Sequence, residues 1–142
     1  MPPAISQPIR RGVVAVVSQT GRLLVIRRSA QVVAPRAICF PGGAIEAGES
    51  ETAALIREVQ EELGAEILPL RRLWRSVTPW NVDLAWWSAR LDASTPLTLN
   101  AAEVESVHWL APEEILALPD LLASNCEFLQ AILRGEIVLD DS

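Results

Sequence analysis

Lysine and tyrosine are absent from this 142-residue chain, and all twelve of its basic residues are arginine. We take that as a compositional bias of the source. Without lysine there is no phosphate-cradling P-loop, and the glycine spacing is wrong for one as well. Histidine is nearly absent: His108, in "VHWL", is the single one and reads as a strand residue. No serine–histidine or cysteine–histidine arrangement for nucleophilic catalysis is visible. The two cysteines, Cys39 and Cys126, lie far apart and lack the clustered spacing of a zinc site. They read as free thiols in a reducing, cytoplasmic compartment. Long apolar runs are missing too, both in the opening "MPPAISQPIR" and later, so neither a secretion signal nor a membrane span is expected. Positive charge is in deficit, with a net charge of −6. That argues against a nucleic-acid polymer as partner. A nucleotide substrate stays open, because a bound cation reverses the local sign of an acidic site.

The length suits one domain, 1–142, with residues 1–9 as a flexible, proline-rich leader. Gly12 to Val17 and Leu23 to Ile26 are apolar and valine-rich, and the polar "SQTG" between them reads as a hairpin turn. A further extended piece, Ala37 to Phe40, runs into a glycine turn at Pro41 to Gly43. Residues 51–63 read as a helix, and 67–77, 82–91 and 104–110 as strands, the first two separated by "TPWN". Pro112 suits the first turn of a short helix through Ile115, and a last helix is expected over Leu121 to Leu133, ending near Gly135. Strands on both sides of the first long helix predict an α/β fold, a mixed sheet packed between helices.

Glu58, Glu61 and Glu62 are crowded near the end of the 51–63 helix. With Glu58 at zero on a helical wheel, Glu62 falls at about 40° and Glu61 at about −60°, while Val59, Leu63 and Ile56 fall at about 100°, 140° and 160°. Glu51 also joins the acidic stripe. Like charges three or four residues apart repel by a few tenths of a kcal/mol, and the helix dipole disfavours anions at that end. Most acidic helical faces are wet surface. The glycine turn just before this helix adds a second reading, because its carbonyls could complete an all-oxygen shell for magnesium or manganese.

Taken together, Gly43, Glu49, Arg57, Glu58, Val59, Glu61, Glu62 and Gly64 resemble the signature of the Nudix hydrolases, and Ala65 is the one departure, smaller than the usual aliphatic. The resemblance implies an α/β/α sandwich with a mixed central sheet, of the MutT-like branch. It implies a magnesium- or manganese-dependent pyrophosphatase that cleaves a phosphoanhydride bond in a nucleoside di- or triphosphate derivative. By the same resemblance Glu58, Glu61, Glu62 and the Gly42 carbonyl are metal ligands, and Arg57 orients the glutamates. Glu49 is a brace, and Gly43 and Gly64 shape the loop and end the helix. ADP-ribose and dinucleoside polyphosphates are alternative substrates, and an isomerase or a silent nucleotide-binding domain are the other classes. The oligomeric state is left as monomer or homodimer.

Some family members take the general base from the signature helix, others from a loop glutamate before a late strand. Glu103 stands in such a loop and is the candidate base. Trp86 and Trp87 are adjacent on a strand, so they point to opposite faces, and one could line a pocket. We name Trp86 and Trp80 as candidate substrate contacts, since aromatic rings stack on bases. Arg27, Arg28 and Arg36 lead toward the signature, and Arg27 and Arg36 are the candidate phosphate contacts.

Overall fold

The computed structural model describes residues 9–139, so all of the expected leader but Ile9 lies outside the described residues. In chain order the elements are β1 (Arg10–Gln19), β2 (Arg22–Arg28), β3 (Ile38–Cys39), β4 (Gly42–Ala44), α1 (Glu51–Leu63), β5 (Leu68–Val77), β6 (Val82–Arg90), β7 (Val104–Leu110), α2 (Pro112–Leu116) and α3 (Cys126–Leu133).

The β1–β2 hairpin turns at Thr20 and Gly21, which have φ of 50° and 78°. A two-residue turn with both φ positive matches the right-handed twist of the strands it joins. The two strands pair only next to that turn, at Ser18 with Leu23 and Gln19 with Arg22, and then part. Segment 38–44 fills the opening. β3 pairs with β2 on one side, β4 pairs with β1 on the other, and the Ala15 N–H donates to the Pro41 carbonyl at 2.8 Å between them. Beyond β1 lie β6, parallel to it from Arg10 to Val17, and then β5 antiparallel to β6. β7 covers the other side of β2. The sheet is therefore mixed, as expected, but the glycine turn at Pro41 to Gly43 contains a short strand.

Alternation sends neighbouring side chains to opposite faces. Val13, Ala15 and Val17 join Leu55, Val59 and Leu63 under α1. Val14 and Val16 join Phe128 and Leu129 under α3. β1 is buried on both faces, which explains its near-continuous valine run. Trp87 lies on the α1 side, where its indole N–H donates to Glu51 Oε1 at 2.8 Å. Trp86 lies on the α3 side.

Two expectations are corrected by this packing. The last helix begins at Cys126, after a 3-10 turn at Ala123–Asn125. Leu121 and its neighbours stay extended because they complete the exposed side of β3: the Ile38 N–H donates to Asp120 O at 2.9 Å and the Leu122 N–H to Ile38 O at 2.8 Å. Trp86 is a core residue rather than a substrate contact. It is fully buried, stacked on Phe128 with centroids 4.3 Å apart, edge-on to Phe40 and Trp74, and its indole N–H donates to Ser76 Oγ at 3.0 Å. Trp86→Ala should therefore cost about 3–5 kcal/mol of stability, the usual range for emptying a core aromatic site. Urea unfolding measures it, and a loss below about 1 kcal/mol would contradict a core role.

Candidate active site

α1 is built to start and stop where it does. Ser50 Oγ accepts the Ala53 N–H at 3.1 Å as an N-cap. Gly64 ends the helix in the left-handed region, φ 63°, with its N–H on Gln60 O at 2.9 Å. The last carbonyls are taken by a later loop, Leu63 O by the Thr98 N–H at 2.8 Å and Glu62 O by the Asn100 N–H at 3.0 Å. The buried face comprises Ala54, Leu55, Val59, Glu62 and Leu63, centred at about 50° on the same wheel. It lies between the acidic and apolar stripes read from the sequence. Glu62 is therefore buried, Glu58 nearly so, Glu61 half exposed, and Ile56, placed on the apolar stripe, reaches solvent.

β4 brings the glycine pair against these glutamates. A Cβ on Gly43 would stand 2.2 Å from Glu58 Oε1, and one on Gly42 would stand 2.1 Å from the Val13 carbonyl oxygen. Only glycine lets the Glu58 carboxylate and the β1 backbone come this close. The Gly42 N–H donates to Glu62 Oε1 at 3.1 Å. Arg57 braces the group: Nε and Nη2 donate to the two Glu49 oxygens at 2.6 and 2.8 Å, Nη1 to Glu58 Oε2 at 2.8 Å and Glu61 Oε1 at 3.3 Å, and Nη2 also to Ala44 O at 2.9 Å. Glu49 in turn accepts the Glu46 N–H at 2.9 Å, closing the loop before the helix.

Burial and like charge raise the proton affinity of the inner pair. Burial is the main cause for both; it lifts Glu62 to about 8, and Glu58 rises despite its contact with Arg57. The Glu103 charge, from the loop before β7, adds to the rise of both. Glu49, by contrast, is held down at about 2 by the Arg57 hydrogen bonds. Among the described residues no three acidic, histidine or cysteine side chains converge as a ready-made metal shell. Glu58 and Glu61 both lean on Arg57, and Glu62 on Gly42. The buried Glu62 and nearly buried Glu58 carboxylates beside the glycine backbone are nonetheless an all-oxygen donor set, the chemistry a hard divalent cation requires.

A cavity of about 330 Å³ adjoins Gly42 and Gly43, lined also by Arg28, Phe40, Trp80 and Asn125. Trp80, at the β5–β6 turn, is half exposed at its rim. The candidate arginines sort differently from expectation. Arg27 is engaged by Asp120 and the Arg36 carbonyl, Arg36 pairs with Glu105 at 2.9 Å, and neither lines the cavity. Arg28 does line it. Leu24 and Ile26 face the α1 side, so Arg28 follows them while Arg27 points to the opposite face, a division that strand alternation makes without telling from sequence which member meets the cavity. Asn125 was not singled out from sequence. It is 3% exposed, and its Oδ1 accepts the Phe40 N–H at 3.1 Å. His108 sits on β7 against Ser106 Oγ at 2.8 Å, a strand residue as read.

The model of the NUDIX domain matches residues 8–132. The CTP pyrophosphohydrolase of Escherichia coli K12 is 32% identical over 124 residues, 85% of this chain and 89% of that protein. A MutT-like protein of Streptomyces ambofaciens is 33% identical over 116 residues, 79% of this chain and 71% of the relative. The crystal structure of a MutT protein from Methanosarcina mazei superimposes with a TM-score of 0.79 over 94% of this chain and 99% of that one, at 22% identity, which speaks for the fold alone. The chain belongs to the Nudix hydrolase family. Nudix hydrolases act on small molecules and generally depend on a divalent metal. Among the described residues no helix is long and apolar enough to cross a membrane.

The Glu49–Arg57 pair makes a pH prediction. A carboxyl whose pKa is lower in the folded state stabilises the fold fully above its unfolded value, and that contribution disappears as pH falls through the folded value. For Glu49 the window runs from 4.5 down to about 2. The stability gap between wild type and Glu49→Gln should be present at pH 6 and close as pH falls through that window. Urea unfolding at a series of pH values tests it; a gap that persisted undiminished at pH 2 would show that ionisation of Glu49 is not its source.

Proposed function

We propose that the protein hydrolyses a phosphoanhydride bond in a nucleoside di- or triphosphate derivative, with magnesium, or manganese in its place, as cofactor. The observation that carries this reading is the carboxylate pair of Glu58 and buried Glu62 set against Gly42 and Gly43, the two glycines that line a cavity of about 330 Å³. Glu58, Glu62 and the Gly42 carbonyl would hold the cation, with Glu61 recruited from Arg57. The cation supplies charge stabilisation on the phosphate oxygens.

The chain's own residues do the rest. Arg57 keeps Glu58 in place while tying Glu49 to the loop. Arg28, whose Nε donates to Val33 O at 2.8 Å and whose Nη1 donates to Cys39 Sγ at 3.9 Å, offers its Nη2 to a phosphate in the cavity. Trp80 stacks on the base, and Asn125, its oxygen committed to Phe40 and its amide nitrogen donating to Ser124 Oγ at 3.3 Å, lines the same cavity. Glu103 takes the proton of the attacking water. Phosphoryl transfer needs placement and electrostatics rather than a protein nucleophile, in keeping with the absence of one in the sequence. The same reading places the protein in the reducing cytoplasm, where Cys39 and Cys126, both free thiols, are stable.

The test is a magnesium-dependent phosphate-release panel of NTPs, CTP first because of the E. coli relative, with oxidised dNTPs, ADP-ribose, dinucleoside polyphosphates and CoA. At least one compound should be cleaved, chelation should abolish cleavage, and Glu62→Gln should lose more than about 100-fold in kcat, beyond the usual cost of disturbing a group behind a metal ligand. Equal inactivity of wild type and variant on every compound, with nucleotide still bound, would leave a binding module instead. Arg28→Ala should raise KM by about 10- to 100-fold, since a charged hydrogen bond is worth about 1.5–3 kcal/mol. An unchanged KM would remove Arg28 from the phosphate site.

A further inference from the structure

We infer that Asn100 is a positioning residue for the reaction, tying the Glu103 carboxylate to the end of the glutamate helix. The inference rests on the reading of Glu103 as general base. Asn100 is an exposed loop residue outside the signature, yet every polar group it has is committed. Its N–H donates to Glu62 O at 3.0 Å, at the last turn of α1, and its carbonyl accepts the N–H groups of Glu103 at 2.9 Å and Val104 at 2.8 Å. Its side-chain Oδ1 accepts the Ala102 N–H at 3.2 Å, and its Nδ2 donates to Glu103 Oε2 at 2.9 Å.

Ser29, just after β2, closes the loop from the opposite side. Its N–H donates to Glu103 O at 2.9 Å and its Oγ to Ala102 O at 2.8 Å. The backbone at Glu103 is thereby fixed from two directions, but backbone contacts leave a glutamate side chain free to rotate. Among the described residues, the amide of Asn100 is what holds that carboxylate. It occupies Oε2 and leaves Oε1 to accept a proton. Because Asn100 also holds the carbonyl of Glu62, the base and the buried glutamate are fixed to one frame. A small misplacement of a reacting group costs up to about 100-fold in rate, so this frame bears on turnover and not only on stability.

Asn100→Asp separates the two side-chain roles. Aspartate keeps the acceptor for the Ala102 N–H, which shapes the loop, and replaces the donor to Glu103 with a second anion. The steady-state arms use CTP, or the fastest-cleaved compound of the panel above. Asn100→Asp should lower kcat by about 10- to 100-fold with KM and thermal midpoint unchanged. The Asn100→Asp/Glu103→Gln double variant should be no slower than Glu103→Gln alone. A wild-type kcat for Asn100→Asp, or losses that multiply in the double variant, would overturn the inference while leaving Glu103 as base. A wild-type kcat for Glu103→Gln would overturn both, and Glu62→Gln would still report on the glutamate helix. An arm without turnover reads the Asn100 side-chain amide by NMR in the metal-free protein. Its proton should be displaced from the free-amide position and return there in Glu103→Ala. A free-amide position in the wild type would also overturn the inference.

Discussion

The site depends on one guanidinium. Arg57 reaches the carboxylates of Glu49, Glu58 and Glu61 and the carbonyl of Ala44 from the second half of α1. It thereby joins the loop before the helix, the strand before that loop and the acidic face of the helix. Without a cation among them these carboxylates would repel one another. A planar fork with several fixed donors can hold that many acceptors in set directions, which the rotating ammonium of a lysine cannot. In a chain whose basic residues are all arginine, the requirement and the composition coincide.

The second constraint is the split in the sheet. β1 and β2 part a few residues after their turn, and the backbone groups they leave unpaired are met by β3 and β4. That is what carries Gly42 and Gly43 into the sheet, where a Cβ would strike Val13 or Glu58. The glycines are therefore less a flexible turn than a thin stretch of strand. Their missing side chains let the helix carboxylates touch backbone. The cavity beside them follows from the same opening, with Arg28 on one wall and Asn125, from the segment before α3, on another.

The loop from Leu97 to Glu103 links these parts. It caps the carbonyl end of α1 through Thr98 and Asn100 and is fastened to the end of β2 by Ser29. The helix terminus, where orphan carbonyls need partners, is thus also the place where a later glutamate is brought to the earlier ones. Helix capping and assembly of the acidic group are the same set of hydrogen bonds.

Much of this was legible in the residues. The valine runs and the Gly64 stop marked strands and helix, because each rests on local backbone preference. The spacing from Gly43 to Gly64 marked the family and the residues of its acidic centre. What could not be read was any choice between two faces. The wheel separated acidic and apolar stripes, yet the buried arc fell between them, taking Glu62 inward and leaving Ile56 in water. Trp86 or Trp87, and Arg27 or Arg28, were each a pair that alternation divides without saying which member faces the site. Leu121 gave up a helix to complete the edge of β3, and Asn100 acquired its place from partners on α1 and β7. Sequence by itself determined the elements, the acidic helix and the chemistry its spacing implies, since those depend on neighbours along the chain. Only the tertiary structure decided which carboxylate is buried, which arginine meets the cavity and which loop reaches the helix end, because those depend on groups that only the folded sheet brings together.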